Sequence, residues 1–176
     1  MVRQVGTLLN IEIKARCRDL AAARSAAQRV ATRYVGIDQQ VDTYFCTREG
    51  RLKLRESSLE GGQLVPYLRP DTPGPKRADY QVIPVEDAAG LKVLLTRILG
   101  VHRVVRKERE ILLHENVRIH LDRVEGLGEF VELEAVFDGS PAAEAEQRRK
   151  VDSLMQVLGI DAGDLLAGSY EGLVGA

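Results

Sequence analysis

Charged side chains recur at every second position of several short segments in this sequence, a spacing that could gather them for chemistry. The first segment, residues 10–16 (NIEIKAR), has apolar residues at odd positions and polar or charged residues at even positions. Because successive side chains of a β-strand point to opposite faces, such a segment has one apolar and one charged face. Later segments repeat the charged face with both signs of charge. The pattern therefore allows a barrel with a polar interior.

Lysines and arginines form the larger of two groups on these charged faces. Several such side chains in a closed groove neutralise and orient a polyphosphate. The cations that would converge are Lys14, Lys53, Arg55, Arg69, Lys107 and Arg109.

Carboxylates form the second group. They would hold a hard divalent cation, Mg²⁺ or Mn²⁺, against phosphate oxygens. Packing like charges together is costly unless a ligand compensates them, so the two groups together predict an anionic, metal-bound ligand. The carboxylates are Glu12, Asp122, Glu132 and Glu134.

Solvent-facing charges are the plain alternative to such a site. An antiparallel sheet with one wet face shows the same alternation, and its charges then serve solubility alone. The alternation by itself leaves both interpretations open.

Hydrophobic periodicity and turn residues predict the elements that would position these groups. Helices are predicted at residues 20–34 (capped by Asp19 and closed by Gly36), 86–99 (closed by Gly100) and 142–158. Strands are predicted at residues 10–16, 40–46, 51–55, 63–69, 80–84, 101–113, 117–122 and 129–137. A loop is expected at residues 70–75 and a Gly-rich tail from residue 159. The fold class is α+β, an antiparallel barrel whose outward apolar faces are covered by helices.

Composition bounds the class of protein. At 176 residues and 44% hydrophobic content, the chain is expected to form one soluble domain with a sizeable core. A formal net charge of -1 and the lack of Trp argue against nucleic-acid and membrane-surface partners. Cys17 and Cys46 have no metal-like spacing and are expected as reduced thiols. Since no apolar stretch is long enough to span a bilayer, we expect a cytoplasmic protein.

Six segments, taken in order, resemble the CYTH superfamily, the triphosphate tunnel metalloenzymes. They are residues 10–14 (NIEIK, at the place of an ExExK signature), 40–45 (QVDTYF), 51–55 (RLKLR), 67–71 (YLRPD), 105–109 (VRKER) and 118–134 (RIHLDRVEGLGEFVELE). Within the superfamily, the chain is most similar to the branch of class IV adenylyl cyclases. The resemblance extends from about residue 10 to residue 158 and favours the tunnel over a solvated sheet.

The resemblance implies an eight-stranded antiparallel tunnel with helices outside, in a single domain over residues 1–176 with a core at about 8–158. It implies that the six cations clamp a triphosphate and that the four carboxylates bind one or two metal ions. Lys76 and Arg77 would close over the ligand, and Tyr44, Tyr67 and His120 would line its site. Core packing for the two tyrosines and a hydrogen-bonded structural role for the histidine stay open. The residues expected to act in catalysis are Glu12, Lys14, Arg55, Lys107 and Arg109.

Two residues depart from the expected pattern. Asn10 replaces the first glutamate of the signature, which removes one negative charge and lowers the expected metal affinity. Pro66 lies within a predicted strand, where it removes a ladder hydrogen bond and indicates an edge, a bulge or an altered rim.

The leading prediction is a Mg²⁺- or Mn²⁺-dependent enzyme that acts on ATP, tripolyphosphate or thiamine triphosphate. It would be a class IV adenylyl cyclase-like enzyme, forming cyclic AMP and pyrophosphate, or a triphosphatase. One alternative is a module that binds a nucleotide or polyphosphate without turnover. Another is a tunnel recruited for a different small molecule, as a biosynthetic cyclase. A homodimer is expected from the resemblance alone.

Overall fold

A curled antiparallel sheet of nine strands is the framework of the protein in the computed structural model, counted over the described residues 8–68, 74–137 and 140–173. The strands are β1 (Leu8–Arg16), β2 (Arg33–Phe45), β3 (Arg51–Ser57), β4 (Gly61–Leu68), β5 (Lys76–Tyr80), β6 (Ile83–Val85), β7 (Val101–His114), β8 (Val117–Val124) and β9 (Gly128–Phe137). Within the same ranges, the α-helices are α1 (Leu20–Val30), α2 (Ala88–Leu99) and α3 (Pro141–Val157). None of the helices in this described part of the chain has the length and apolar character that a membrane crossing needs.

Pairing between strands closes eight of the nine described strands into a ring. Their order is β3-β2-β7-β8-β9-β1-β5-β4, and β4 pairs with β3 again. The extra strand arises because the strand predicted at residues 80–84 is in fact divided, with β5 ending at Tyr80 and β6 beginning at Ile83. β4 pairs first with β6 and then, beyond Pro66, with β5. Pro66, which has no N–H to donate to a neighbouring strand, lies at this change of partner. The predicted antiparallel barrel is confirmed, with one short strand added.

The boundary between α1 and β2 differs from the prediction. The sequence predicts a helix to residue 34, but α1 ends at Val30 and β2 begins at Arg33. Pairing with β7 accounts for the difference, because Arg33 lies opposite Leu113 and Thr32 N donates to the Leu113 carbonyl oxygen at 2.8 Å. Gly36 is therefore not a helix cap but lies at a break in the β2–β7 register, with φ at 144°. The other two predicted helices are confirmed to within two residues at each end.

The main hydrophobic core lies between the outer face of the barrel and helices α1 and α3. It is formed by Ile11, Ile13, Ala15, Leu112, Val117, Ile119, Leu121, Val131, Leu133 and Ala135 of the strands, with Leu20, Ala23, Ala26, Ala27, Val151, Leu154 and Leu158 of the helical side. The alternate residues of these strands consequently face the barrel interior. Their charges are buried, with Lys14 5% exposed, Asp122 0% and Glu132 7%. The alternative interpretation, a solvated charged face, is therefore wrong.

The residues after α3 return to the barrel. Leu166 N donates to the carbonyl oxygen of Lys14 at 2.8 Å, which ties this segment to β1. A short 3₁₀ turn, Tyr170–Gly172, follows, and the Tyr170 side chain is 2% exposed. Residues 159–173, the C-terminal segment, thus contribute a large aromatic side chain to the barrel interior.

Candidate functional site

A cavity of about 500 Å³ lies inside the barrel. Its wall combines residues of β1, β2, β3, β4, β5, β7, β8 and β9 that are far apart in the sequence. The volume falls within the range of small-molecule sites. Most of the site residues predicted from the sequence line this cavity: Glu12, Lys14, Tyr44, Lys53, Arg55, Tyr67, Lys107, Arg109, His120, Glu132 and Glu134.

Three other predicted residues, Lys76, Arg77 and Asp122, do not line the cavity. Lys76 is buried, and its ammonium donates to two carbonyl oxygens of the C-terminal segment at 2.9 and 3.1 Å. Arg77 lies 3.8 Å from Glu144 of α3 with its side chain 46% exposed. Asp122 is buried in an ion pair and does not contribute to the cavity wall, while Arg69 lies outside the described residues. The structure thus does not bring Lys76 and Arg77 to the cavity, and their closure over a ligand stays a prediction.

Asp42 holds three of the cations together. Arg55 donates to both of its oxygens at 2.7 and 2.8 Å, while Lys53 and Lys107 donate at 3.3 and 3.2 Å. Burial alone would raise the pKa of Asp42, but the three cations hold it well below its usual range. Because one carboxylate faces three cations, this side of the cavity retains a positive charge for an anion.

Arg109 connects the cations to the carboxylates. Its guanidinium donates to both oxygens of Asp122 at 2.7 and 2.6 Å and to Glu132 Oε2 at 3.1 Å. Lys14 pairs with the same Glu132 oxygen. Burial alone would raise the pKa of Asp122, but Arg109 lowers it to about 2. The two oxygens of Asp122 are already occupied by protein donors, so the structure favours a positioning role for Asp122 over metal binding.

An imidazole and two carboxylates face one another on β8 and β9. The ligand atoms of His120, Glu132 and Glu134 all lie within 4.8 Å of one another, a group that could hold a metal ion. Burial and the neighbouring Glu132 raise the pKa of Glu134 to about 8, since two adjacent carboxylates resist carrying two charges. Burial, with repulsion from Arg109, lowers the pKa of His120 to about 4. The imidazole is therefore neutral at physiological pH, as metal ligation requires.

Tyr170 of the C-terminal segment occupies the interior beside these groups. Its hydroxyl donates to Asp122 Oδ2 at 2.6 Å, and its ring packs on Phe130 with 4.9 Å between centroids. The Lys14 ammonium lies 3.9 Å from the Tyr170 ring centroid, and that of Lys107 lies 5.2 Å away. Sequence reasoning missed this residue, because no periodic pattern marks a single tyrosine in a Gly-rich segment. The only available signal was the scarcity of aromatic residues in the chain.

Tyr170→Phe is expected to lower the free energy of unfolding by about 1.5 kcal/mol, because it removes a hydrogen bond to a buried carboxylate. Arg109 still pairs with that carboxylate, which keeps the loss at the lower end for bonds to charged groups. Urea unfolding measures the change, with Tyr34→Phe as the matched control because Tyr34 is 53% exposed. Equal stability of the two variants would contradict the role given to the Tyr170 hydroxyl.

The cavity wall changes character along β7. After Lys107 and Arg109, the next lining residues of this strand are Ile111 and Leu113, and Val35 of β2 joins them. Val65, Ala78, Tyr80 and Val82 also line the cavity, and Arg33 and Arg118 flank Leu113 on the two neighbouring strands. A polyanion needs no such apolar wall, whereas an organic group attached to it does.

Several solved structures share this fold. A protein from Pyrococcus horikoshii is 24% identical, with a TM-score of 0.77 over 94% of this chain and 99% of that one. A candidate adenylate cyclase from Vibrio parahaemolyticus is 21% identical, with a TM-score of 0.77 over 97% and 100%. A Hippeastrum protein with a dominant triphosphatase activity is 14% identical, with a TM-score of 0.57 over 92% and 91%. At these identities the likeness shows a common fold.

No curated protein matches the chain. The CYTH domain profile, however, matches residues 8–170, which include every strand of the barrel and the buried Tyr170. Together with the closed sheet and its polar interior, this match shows that the chain belongs to the CYTH family.

Proposed function

We propose that this protein is a divalent-metal-dependent enzyme that acts on a triphosphate. One observation carries the proposal: a single cavity brings seven cations together with His120 and with glutamates that include Glu12, Glu132 and Glu134. The cations are Lys14, Arg33, Lys53, Arg55, Lys107, Arg109 and Arg118. Buried charges of one sign cost free energy unless a ligand compensates them, so the arrangement fits an anion accompanied by a metal ion.

The residues divide into two functional groups in this proposal. The cations neutralise and orient the phosphate chain, and Arg55 and Arg109 are held in fixed geometry by their carboxylate partners. Catalysis of this kind rests on positioning and charge stabilisation. A divalent ion bound by the glutamates would supply Lewis-acid polarisation of a phosphoryl oxygen.

Two reactions fit such a site. In cyclisation, the 3′-hydroxyl of ATP attacks the α-phosphorus and pyrophosphate leaves. In hydrolysis, water attacks the terminal phosphorus and orthophosphate leaves. The apolar wall formed by Val35, Ile111 and Leu113 supports a triphosphate that carries an organic group over inorganic tripolyphosphate.

A screen of metal ions against substrates tests the proposal. ATP, thiamine triphosphate and tripolyphosphate are each incubated with Mg²⁺ and with Mn²⁺, and orthophosphate, pyrophosphate and cyclic AMP are resolved separately. We expect turnover of an organic triphosphate and slower turnover of tripolyphosphate. Absence of all three products across the panel would refute the proposed enzyme. The cytoplasmic location and the homodimer stay predictions.

Binding without turnover is a second candidate function, and Asn10 is the observation that favours it. The side chain is 2% exposed, its Nδ2 lies 3.4 Å from Glu12 Oε2, and its Oδ1 has no hydrogen-bond partner among the described residues. A neutral amide here leaves the site one negative charge short of the family signature. Calorimetry that shows tight triphosphate binding, with no product after long incubation, would support this candidate over the enzyme.

Triphosphate binding at pH 8 is expected to take up about one proton more in the wild type than in Lys107→Arg, because the pKa of Lys107 lies near neutrality. Burial, with repulsion from Arg109, lowers the pKa of Lys107 to about 7. The ammonium is thus partly deprotonated above this value, and a bound polyanion raises the pKa again. Affinity should therefore fall as pH rises above 7, by up to about tenfold per unit.

Calorimetry in buffers of different ionisation enthalpy measures this proton uptake, with tripolyphosphate as ligand and EDTA present to prevent turnover. Lys107→Arg is the control, since arginine keeps its charge over this range and should remove the share of the uptake that belongs to Lys107, leaving that of Glu134. The same uptake in both proteins would assign the proton to another group.

A further inference from the structure

A buried imidazole nitrogen without a hydrogen-bond partner lies in the cavity wall. His120 is 4% exposed, and its Nδ1 makes no hydrogen bond within the described part of the chain. The distance from Nδ1 to Glu132 Oε1 is 3.7 Å, which is beyond hydrogen-bond range. Native proteins pair nearly all buried polar atoms, so this nitrogen is available to an ion or to water.

The carboxylates of Glu132 and Glu134 lie close enough to His120 to bind the same metal ion. His120 and Glu132 are directly opposite each other in the β8–β9 ladder, and Glu134 follows on the same face of β9. The three ligand atoms lie within 4.8 Å of one another. Bonds of about 2.1 Å to a common ion place its ligands no more than about 4.2 Å apart. Small side-chain rotations are therefore enough to bring the three ligand atoms within binding distance of one ion.

Contacts with neighbouring groups distinguish these three residues from Asp122. Lys14 and Arg109 contact Glu132 through Oε2, whereas Oε1 is the oxygen that faces His120. Asp122 has both oxygens engaged, by Arg109 and by the Tyr170 hydroxyl. One nitrogen and two carboxylate groups thus converge here; Arg118 Nη1 lies 3.6 Å from Glu134 Oε2, and Glu12 lies opposite Glu134 in the β1–β9 ladder.

We propose that His120, Glu132 and Glu134 together bind the metal ion, with the imidazole selecting a first-row transition ion such as Mn²⁺ over Mg²⁺. Mg²⁺ prefers oxygen ligands in a strict octahedral arrangement, whereas imidazole nitrogen suits transition ions. The inference rests on the proposed function only for the need for a divalent ion. The position and the donor atoms follow from the geometry of these three residues.

Electron spin echo envelope modulation of the full chain with Mn²⁺ alone tests the nitrogen ligand without any triphosphate. A coordinated imidazole nitrogen couples to the Mn²⁺ electron spin, and the chain has three histidines. We expect nitrogen coupling in the wild type and in His102→Gln, whose parent residue is exposed at the start of β7, and none in His120→Gln. Absence of nitrogen coupling in the wild type overturns the proposal, even where the variant fails to fold.

Calorimetry with each ion alone tests the selectivity. His120→Gln should weaken Mn²⁺ binding by at least about 10–100-fold. The same variant should change Mg²⁺ affinity by less than about threefold, because Mg²⁺ gains little from a nitrogen donor. Equal losses for the two ions would overturn the selectivity.

Both metal-binding measurements are independent of turnover. Nitrogen coupling in a protein that yields no product in the substrate screen supports the metal site and rejects the enzyme. Turnover in a protein without nitrogen coupling supports the enzyme and rejects the histidine ligand.

Discussion

Glu132→Gln is expected to lower metal-dependent turnover of the triphosphate by about 10³-fold, or ~4 kcal/mol of transition-state stabilisation. Glutamine keeps the size of the side chain and removes its charge. In the proposed enzyme, Glu132 contacts both groups of the site: Oε2 binds Lys14 and Arg109, and Oε1 faces His120. Its loss therefore weakens the metal site and removes the ion pair that positions Lys14, while Arg109 keeps its two hydrogen bonds to Asp122.

Two measurements separate these effects. Steady-state turnover with saturating metal reports on the position of the cations, and Mn²⁺ binding in the absence of triphosphate reports on the ligand set. Glu129→Gln is the matched control, because Glu129 lies on the same strand but pairs with Arg123 on the surface. We expect wild-type turnover in this control. Wild-type turnover in Glu132→Gln would reject the placement of the active site in the cavity.

The barrel and the inward direction of its charges could be predicted because their signal is local. A period of two residues assigns each side chain of β1, β8 and β9 to a face without any knowledge of the partner strands. Turn and cap residues such as Asp19 and Gly100 marked most boundaries for the same reason. The predicted end of α1 was wrong because the Ala-rich segment favours helix formation. The actual start of β2 is decided by its pairing with β7, which is distant in the sequence.

The partners inside the barrel could not be predicted, because they depend on which groups meet in space. The sequence groups Asp122 with the other carboxylates, and only the structure shows that Arg109 and Tyr170 occupy both of its oxygens. Likewise, Lys76 carries the right charge for a phosphate contact, yet its ammonium binds carbonyl oxygens of the C-terminal segment. Residue type fixes the possible chemistry, and packing decides which possibility is used.

Asp122→Asn is expected to lower the free energy of unfolding by about 3–5 kcal/mol, the usual cost of breaking a buried ion pair by removing one partner. Asp122 is fully buried and accepts two hydrogen bonds from Arg109 and one from Tyr170. The asparagine amide offers only one acceptor oxygen. Its N–H groups would face the Arg109 guanidinium, which has no hydrogen-bond acceptor. Urea unfolding at pH 7 measures the loss.

The control for this variant is Asp152→Asn, the same substitution at an exposed position of α3, which should change stability by less than about 0.5 kcal/mol. Mn²⁺ binding provides the second measurement. Because protein donors already occupy both oxygens of Asp122, we expect the variant to bind Mn²⁺ as the wild type does. A large loss of Mn²⁺ affinity with little loss of stability would instead make Asp122 a metal ligand, as the sequence alone predicts.

Acid should reveal the same ion pair through the pH dependence of stability. Burial opposes ionisation of Asp122, but Arg109 outweighs it and lowers the pKa to about 2, below the value of about 3.9 for an unfolded chain. A depressed pKa means that the unfolded state binds the proton more readily. The stabilisation is therefore complete above about pH 4 and is lost as the pH falls toward 2. The stability difference between wild type and Asp122→Asn should shrink over this interval, and a difference that stays constant would place the stabilising charge on another carboxylate.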